Sequence, residues 1–285
     1  SGFLRLYSDQ FGRLAIPMPP VDEQAAIVRF LDWANGRLER AIRAKRKVIA
    51  LLMEQKQSMT QRAVTRGVDA SATLRPTGIP WFGDVPSHWE VRPLKAVSVI
   101  QSGVTLGKDY GAQQTQSFPY LRVANVQAGF VELSDVKTMR VPVPEARRSM
   151  LAVGDVLMTE GGDPDKLGRG CVWDGQVSPC LHQNHVFKAR GYTTTWNPGW
   201  AELYLNLDVA RAYFAASAKQ TTNLASINMT ELRHCVFPLP PLNEQARIVT
   251  RVTELRRVCA ELRQRLAASQ ATQAHLAQAM VDEVA

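Results

Sequence analysis

Side chains that could read nucleotide bases are concentrated in one short stretch of the chain. Gln183, Asn184 and His185 are consecutive, and Lys188 and Arg190 follow on the same predicted strand. Glutamine and asparagine can form two hydrogen bonds with adenine, whereas lysine and arginine are the usual phosphate contacts. The stretch therefore fits contact with nucleic acid, although such a polar run also commonly satisfies the main chain of a loop.

Further candidates are basic, amide or glycine residues in predicted loops and on a neighbouring strand. A glycine-rich stretch holds Gly161 and Gly162, and glycine permits close approach of the main chain to a ligand. An ion pair of Arg122 with an acid of its own domain, and a purely structural turn at the glycines, are equally compatible with the sequence. The remaining candidates are Lys108, Asn125, Lys166, Arg169, Lys219, Gln220, Thr222 and Asn223.

The sequence matches several motifs of catalysis or metal binding only in part. An adenine methyltransferase loop would need a second proline where residues 197–200 read Asn-Pro-Gly-Trp. A phosphate-binding loop is one residue short at 103–108 and is followed by Asp109 rather than a hydroxyl. Asp135-Val136-Lys137 resembles half of a nuclease site, without the upstream half. A zinc site is disfavoured by the spacing of its potential ligands, which are Cys171, Cys180, His182 and His185. We therefore expect no catalytic residue and no bound metal.

A duplicated segment shows which elements must hold these residues. IPMPPVDEQAAIV at 16–28 and FPLPPLNEQARIV at 237–249 are identical at eight of thirteen positions. Proline favours an extended chain before the motif, and Asp22 or Asn243 could then cap a helix. The shared helix-start residues are Pro19, Pro20, Glu23 and Gln24 in the first copy, and Pro240, Pro241, Glu244 and Gln245 in the second.

A long helix is predicted after each copy of the motif. Apolar residues recur at alternating steps of four and three after both, from Ile27 to Met59 and from Ile248 to Met280. This spacing is typical of a coiled-coil seam. We expect the two helices to pair antiparallel with each other, with a helix of another chain as the competing partner.

The segment between the helices predicts an α+β fold: one globular mixed α/β domain flanked by the antiparallel coiled coil. One helix is predicted at 200–218. Short apolar or β-branched runs predict strands at 91–101, 119–126, 130–136, 155–160, 170–175 and 185–190. The predicted divisions of the chain are 1–20, 21–67, 68–236 and 237–285.

The charge of the chain favours an anionic partner. The formal net charge is +8, and residues 1–67 hold 12 basic and only 6 acidic side chains. The excess lies mainly on the first predicted helix, where it could also be a solvated face. The four cysteines are widely spaced and are expected to be free thiols, and the lack of a long apolar run or a signal pattern predicts a cytoplasmic protein without a membrane partner.

Several stretches in this order resemble the specificity subunits of type I restriction-modification enzymes. They are GIPWFGDVPSHWEVRPLKAV (78–97), PYLRVANVQAGFVELSDVK (119–137), LAVGDVLMTEGGDPDKLGRG (151–170), CLHQNHVFKAR (180–190) and TTNLASINMTELRHCVFPLPPLNEQARIV (221–249). The resemblance implies a non-catalytic subunit with a target-recognition domain that reads one half of a bipartite DNA site. Its implied partners are double-stranded DNA, methyltransferase subunits and, indirectly, the restriction/motor subunit. S-adenosylmethionine, ATP and magnesium are expected on those partners and not on this chain.

The chain departs from the family in holding one complete recognition domain where members normally have two. Residues 1–20 resemble the end of a preceding domain, since LRLYSDQFGRLAIPMPP aligns with INMTELRHCVFPLPP. We expect either a fragment or a natural half-size subunit that pairs with a second copy of itself, with a slight preference for a fragment. The alternative from another functional class is a coiled-coil interaction scaffold that keeps the fold but reads no DNA.

Overall fold

The computed structural model of the chain describes residues 18–162, 167–220 and 225–282. Six α-helices lie within these ranges: α1 Val21–Arg66, α2 Val143–Ser149, α3 Pro198–Leu205, α4 Asp208–Ser217, α5 Met229–His234 and α6 Leu242–Asp282. The first strands are β1 Leu74–Pro76, β2 Asp84–Pro86, β3 Glu90–Pro93, β4 Ser98–Ser102, β5 Gln116–Leu121, β6 Val126–Gln127, β7 Phe130–Val131 and β8 Lys137–Val141. They are followed by β9 Val156–Thr159, β10 Gly161–Gly162, β11 Gly170–Val172, β12 Leu181–His182, β13 Val186–Gly191, β14 Lys219–Gln220, β15 Ala225–Ser226 and β16 Val236–Leu239.

The chain forms two compact units. The globular unit comprises residues 57–255 and is called the recognition unit after the domain that the resemblance leads us to expect. The helical unit comprises the described residues up to Lys56 and from Arg256 onwards. The predicted fold class, a mixed α/β domain flanked by two long antiparallel helices, is confirmed. No helix in the described ranges is long and apolar enough to cross a membrane.

The repeated motif starts both long helices by the same hydrogen bond. In the first copy the Gln24 side chain donates to the Pro19 carbonyl at 2.7 Å, and in the second the Gln245 side chain donates to the Pro240 carbonyl at 2.9 Å. The bond ties the extended proline segment to the first helical turn. The predicted caps are corrected, because each helix begins one residue before Asp22 or Asn243, which therefore lie inside the first turn.

The core of the recognition unit lies between an antiparallel sheet, ordered β11-β9-β13-β4, and helices α3 and α4. Large aromatic side chains fill it, and Trp89 and Trp200 meet edge to face with ring centroids 5.5 Å apart. The Trp200 indole N–H donates to the Pro238 carbonyl at 3.0 Å, so the buried ring leaves no polar group unpaired. Since Pro238 lies on β16, the aromatic core is linked to the strand that leads into the second motif.

Five predicted elements are shorter or more broken than expected. The strand predicted at 119–126 ends at Leu121 and gives way to a 3₁₀ turn at Val123–Asn125, and the strand predicted at 170–175 ends at Val172. The helix predicted at 200–218 is two helices, because the Asn206 side chain binds both main-chain groups of Gly170 and ends α3. The strand predicted at 130–136 ends at Val131, after a tight hairpin turn. A 3₁₀ turn at Leu94–Ala96 divides the strand predicted at 91–101.

The helical unit contains most of α1 and α6. Leu52 and Met53 of α1 line one small cleft together with Cys259 and Ala260 of α6, so the helices lie side by side there. Cys259 is 8% exposed, which places this seam residue in the interface between the helices as predicted. Cys259 and the other cysteines are free thiols.

Replacing Gly36 with alanine is expected to stabilise α1. Glycine in a helix interior costs about 1 kcal/mol relative to alanine, and the added Cβ would meet only the end of the flexible Arg40 side chain, at 3.5 Å. Urea unfolding should show a higher midpoint. Gly67→Ala is the contrasting variant, because Gly67 has a φ of +76° and its Cβ would lie 3.2 Å from Glu244. A lower midpoint for Gly36→Ala would contradict the expectation.

Candidate functional site

One end of the four-stranded sheet collects several of the predicted contact residues on neighbouring loops. Residue pairs Phe187 with Ser102, Val186 with Thr159, and Gly170 with Met158 set the register. Since the strands are antiparallel, β4 and β9 end at this edge where β13 and β11 begin. We call it the loop end; it comprises residues 102–104, 159–162, 169–170 and 183–186, together with 219–220 and 225–226, which pair onto Gly161–Gly162.

The turn at 183–185 is fixed by main-chain hydrogen bonds to two other segments. The Gln183 N–H donates to the Leu121 carbonyl and the Asn184 N–H to the Val104 carbonyl, each at 2.9 Å. In return the Val104 N–H donates to the His182 carbonyl at 2.8 Å. The turn is therefore a rigid extension of the sheet rather than a free loop.

Glu160 connects this turn to the glycine-rich stretch and to Ile227, which follows β15. Its N–H donates to the His185 carbonyl at 3.0 Å, and its own carbonyl accepts from the Ile227 N–H at 2.9 Å. The next two residues, Gly161 and Gly162, form β10, which pairs with β15, and β15 pairs with β14. The structure thus brings three separately predicted stretches to the loop end.

The predicted contact residues at the loop end differ in how far they are exposed to solvent. His185 and Lys219 are exposed, Gln183 is half-buried, and Gly161 lies against the Ala225 main chain. Arg169 is half-buried and precedes the first residue of β11. The main chain of Gln220 lies on β14, whereas Lys166, Thr222 and Asn223 lie outside the described residues.

The Asn184 amide is only partly accessible. Its Oδ1 is buried and has no hydrogen-bond partner among the described residues, while its Nδ2 lies 3.4 Å from the His185 Nε2. The expectation that Asn184 offers both amide atoms to a base is therefore corrected. In this conformation the side chain presents a donor alone.

The expectation of a phosphate contact is corrected for Lys188. Its strand, β13, is central in the sheet, and Lys188 is only 2% exposed. Its ammonium donates to the carbonyls of Met150 and Arg148 at 2.9 and 3.2 Å, and burial lowers its pKa below the usual value. Lys188 therefore links the main chain at Arg148 and Met150, which precedes β9, to the sheet in the interior of the domain.

Arg190 is also engaged within the domain, at the end of the sheet opposite the loop end. Its Nε and Nη2 donate to the two carboxylate oxygens of Asp155, both at 2.7 Å. Asp155 is almost fully buried while the arginine is half-exposed, and this bond raises the pKa of Arg190. The prediction of a phosphate contact for Arg190 is corrected to an internal ion pair.

Arg122 and Asn125 stabilise one turn rather than facing outward. The Arg122 guanidinium binds the Asp135 carboxylate at 2.8 Å, which is the ion pair with an acid that the sequence left open. Together with Lys137, the first cause, it lowers the pKa of Asp135. Asn125 is 2% exposed and uses its amide on the Glu132 carbonyl and the Arg122 N–H, so its expected role in base reading is corrected.

Lys108 lies in the segment that leaves the loop end after β4. Its ammonium is 2.9 Å from the Glu145 carboxylate and 5.1 Å from the centre of the Tyr110 ring. Half of the side chain is exposed, so the ion pair is open to competition from another anion.

Three of the four residues considered as zinc ligands, Cys171, Cys180 and His182, are buried, whereas His185 is exposed and contacts Glu160. The His182 Nδ1–H donates to the Val186 carbonyl at 2.6 Å, and burial lowers the pKa of His182 to about 4. Burial raises the pKa of the Cys171 and Cys180 thiols to about 12. Within the described ranges, no three His, Cys, Asp or Glu side chains form a group that could hold a metal ion.

Sequence reasoning missed two kinds of residue at or near this surface. Glu160 is not among the predicted residues, because a lone acid carries no sequence signal of contact with an anion, yet its Oε2 lies 2.6 Å from the His185 Nδ1. Phe130 is 56% exposed on a hairpin tied to the loop end by the bond from the Gly129 N–H to the Gly170 carbonyl. The available signal was local, namely an acid at the end of a buried strand and an aromatic residue beside a glycine turn.

The chain thus combines a mixed α/β domain, with polar loops gathered at one sheet end, and two long helices. No protein-family model matches the chain. Its sequence is 26% identical over 250 residues to the type I restriction enzyme EcoKI specificity subunit of Escherichia coli K12, covering 86% of this chain and 51% of that protein. Over 94 residues it is 35% identical to the MjaVIII specificity subunit of Methanocaldococcus jannaschii, covering 33% of this chain and 20% of the relative.

Two solved structures have the same fold. A chain of a type I R-M system, solved to describe its assembly and conformational transition, matches with a TM-score of 0.68 and 20% identity, over 94% of this chain and 60% of that one. The HsdS subunit of Thermoanaerobacter tengcongensis matches with a TM-score of 0.56 and 20% identity, over 94% and 59%. The resemblance to type I restriction enzyme specificity subunits is thereby confirmed over most of the chain, which spans about half the length of the EcoKI subunit.

Proposed function

We propose that the chain is a DNA-recognition module of a type I restriction-modification complex, reading one half of a bipartite target. The observation that carries the proposal is the loop end, where the 183–185 turn, Gly161–Gly162 and Lys219 meet on one surface. Main-chain bonds hold these segments in place before any ligand arrives, and such preorganisation favours base readout. The relatives' identity as specificity subunits supports the same role.

In the proposed complex, other subunits catalyse the reactions. The recognition unit would position the duplex, while the long helices would dock the adenine methyltransferase and, through it, the restriction/motor subunit. S-adenosylmethionine, ATP and magnesium would be bound by those partners. The other half of the target would be read by a second recognition domain or by a second copy of this chain.

Base reading in this proposal falls to few side chains, because most predicted basic contacts have internal partners. Gln183 and His185 are accessible at the loop end. Exposed glutamines at 113, 114 and 116 extend the polar surface along the segment that follows β4. Phosphate positioning would rest chiefly on Lys219, with Lys108 released from Glu145 by the stronger charge of the duplex.

Lys219→Ala is expected to weaken duplex binding and to reduce its salt dependence. Each phosphate neutralised contributes about 0.9 to the slope of log K against log salt concentration, so the slope should fall by about that amount. Fluorescence anisotropy of a duplex across a salt series would measure it. Lys95→Ala is the matched control, since Lys95 is an exposed lysine of the 3₁₀ turn at the opposite end of β4. Equal slopes for all three proteins would contradict the role of Lys219.

A scaffold without DNA reading is the second candidate function. The observation in its favour is the internal pairing of Lys108, Arg122, Lys188 and Arg190, which leaves fewer cations free for phosphate. The two candidates differ in one measurement, the enrichment of a sequence motif from a randomised duplex library. Co-purification with a methyltransferase while no motif is enriched would favour the scaffold.

A further inference from the structure

Glu160, His185 and Asn184 form a chain of polar contacts at the loop end. The His185 Nδ1 lies 2.6 Å from the Glu160 Oε2, and the His185 Nε2 lies 3.4 Å from the Asn184 Nδ2. The histidine side chain is 54% exposed and the glutamate 29%. The main chain holds the same residues together, since the Glu160 N–H donates to the His185 carbonyl at 3.0 Å.

The contact with Glu160 fixes which nitrogen of a neutral His185 ring is protonated. A carboxylate accepts hydrogen bonds, so Nδ1 must hold the hydrogen and donate it. Nε2 is then left with its lone pair and is an acceptor. Asn184 completes the arrangement with a donor, because its Oδ1 is buried and its Nδ2 faces the ring.

The turn therefore presents a donor and an acceptor side by side, about the separation of two neighbouring groups on a base edge. In the major groove adenine offers the N7 acceptor beside the N6 amino donor, whereas guanine offers two acceptors. A donor from Asn184 to N7 and an acceptor on His185 for N6 match adenine and not guanine. The 3.4 Å contact between the two side chains is long, so exchanging it for bonds to a base costs little.

We propose that the 183–185 turn reads an adenine in the major groove, and that Glu160 is the positioning residue that makes His185 an acceptor. The proposal rests on the DNA-recognition function above and names the base that this turn selects. Without Glu160, His185 can also place its hydrogen on Nε2 and donate to guanine. Preference for adenine at one target position should then relax.

The first experiment is selection of bound sequences from a randomised 20-base-pair duplex library by the full chain and its variants. The wild type is expected to enrich a motif with an invariant adenine. Glu160→Ala and His185→Ala should each lose that adenine preference by about ten-fold while other positions of the motif persist. Glu160→Gln, whose side-chain oxygen can still accept from Nδ1, should restore most of it. Glu90→Ala, at an exposed ion pair with Arg92 on β3, is the control.

Modified bases in the enriched duplex separate the two contacts. Purine lacks the N6 amino group, and 7-deazaadenine lacks N7. The wild type should lose affinity for both, whereas His185→Ala should be indifferent to purine and Asn184→Ala indifferent to 7-deazaadenine. Each variant should unfold at the same temperature as the wild type, which ensures that these differences come from folded protein.

Each outcome has one meaning. If the wild type enriches no motif, the proposed DNA-recognition function fails, and the adenine contact fails with it. If a motif is enriched but the modified bases do not distinguish the variants, recognition stands and the adenine contact is overturned. If Glu160→Ala keeps full adenine preference, or Glu160→Gln does not restore it, Glu160 does not set the polarity of His185.

Discussion

Gly103→Ala is expected to lower the free energy of unfolding by about 3 kcal/mol, the upper end of the cost of overpacking a close contact. The added Cβ would lie 1.9 Å from the His182 carbonyl oxygen and 2.7 Å from that of Gln183. Both are main-chain atoms: the Val104 N–H holds the His182 carbonyl at 2.8 Å, and the Val186 N–H holds the Gln183 carbonyl at 2.9 Å. Neither segment can withdraw without breaking the pairing that positions the 183–185 turn, so duplex binding should be lost as well.

Urea unfolding and anisotropy with the enriched duplex would measure the two effects. Gly107→Ala is the matched control in the same segment. It has a φ of +70°, so alanine is strained there, but nothing lies within 4 Å of its Cβ. The control should cost about 1 kcal/mol, as expected for a left-handed residue with a side chain, and leave binding intact. Similar losses in the two variants would show that crowding at Gly103 is not what matters.

Features that depend on local chemistry could be predicted from the sequence. Both long helices begin where the proline pairs end, and the repeated glutamine makes the same bond in each copy. Cys259 lies in the helix seam as its periodic spacing indicated. These predictions succeed because proline geometry and helical periodicity act over a few residues, whatever the rest of the chain does.

Features that depend on distant partners could not be predicted from the sequence. The cationic side chain of Lys188 predicts a contact with phosphate. Its partners are instead the carbonyls of Met150 and Arg148, about 40 positions away in the sequence. Nothing near Lys188 in the sequence shows that β13 is covered on both faces. The position of the loop end also depends on the strand order β11-β9-β13-β4. The sequence of each single strand does not show which strands will be its neighbours.

Arg190→Ala is expected to destabilise the recognition unit more than any substitution of an exposed arginine. Removing one partner of a buried ion pair costs 3–5 kcal/mol, and we expect about 3 kcal/mol at pH 7 because Arg190 itself is half-exposed. The loss arises at Asp155, whose buried carboxylate would keep, among the described residues, only the hydrogen bond from the Ala152 N–H, at 2.8 Å. Any loss of DNA binding should then follow the fraction of unfolded protein and leave the salt slope unchanged.

A double variant distinguishes a buried acid from a missing phosphate contact. Without the guanidinium, the Asp155 carboxylate is a buried charge that has lost its partner. Adding Asp155→Asn to Arg190→Ala removes that charge and should recover part of the stability at pH 7. In Arg140→Ala, which removes bonds to Thr115 and leaves the Arg190 pair intact, the same Asp155→Asn change should lower the stability further. If Asp155→Asn recovers no stability in Arg190→Ala, the internal role of the pair is refuted.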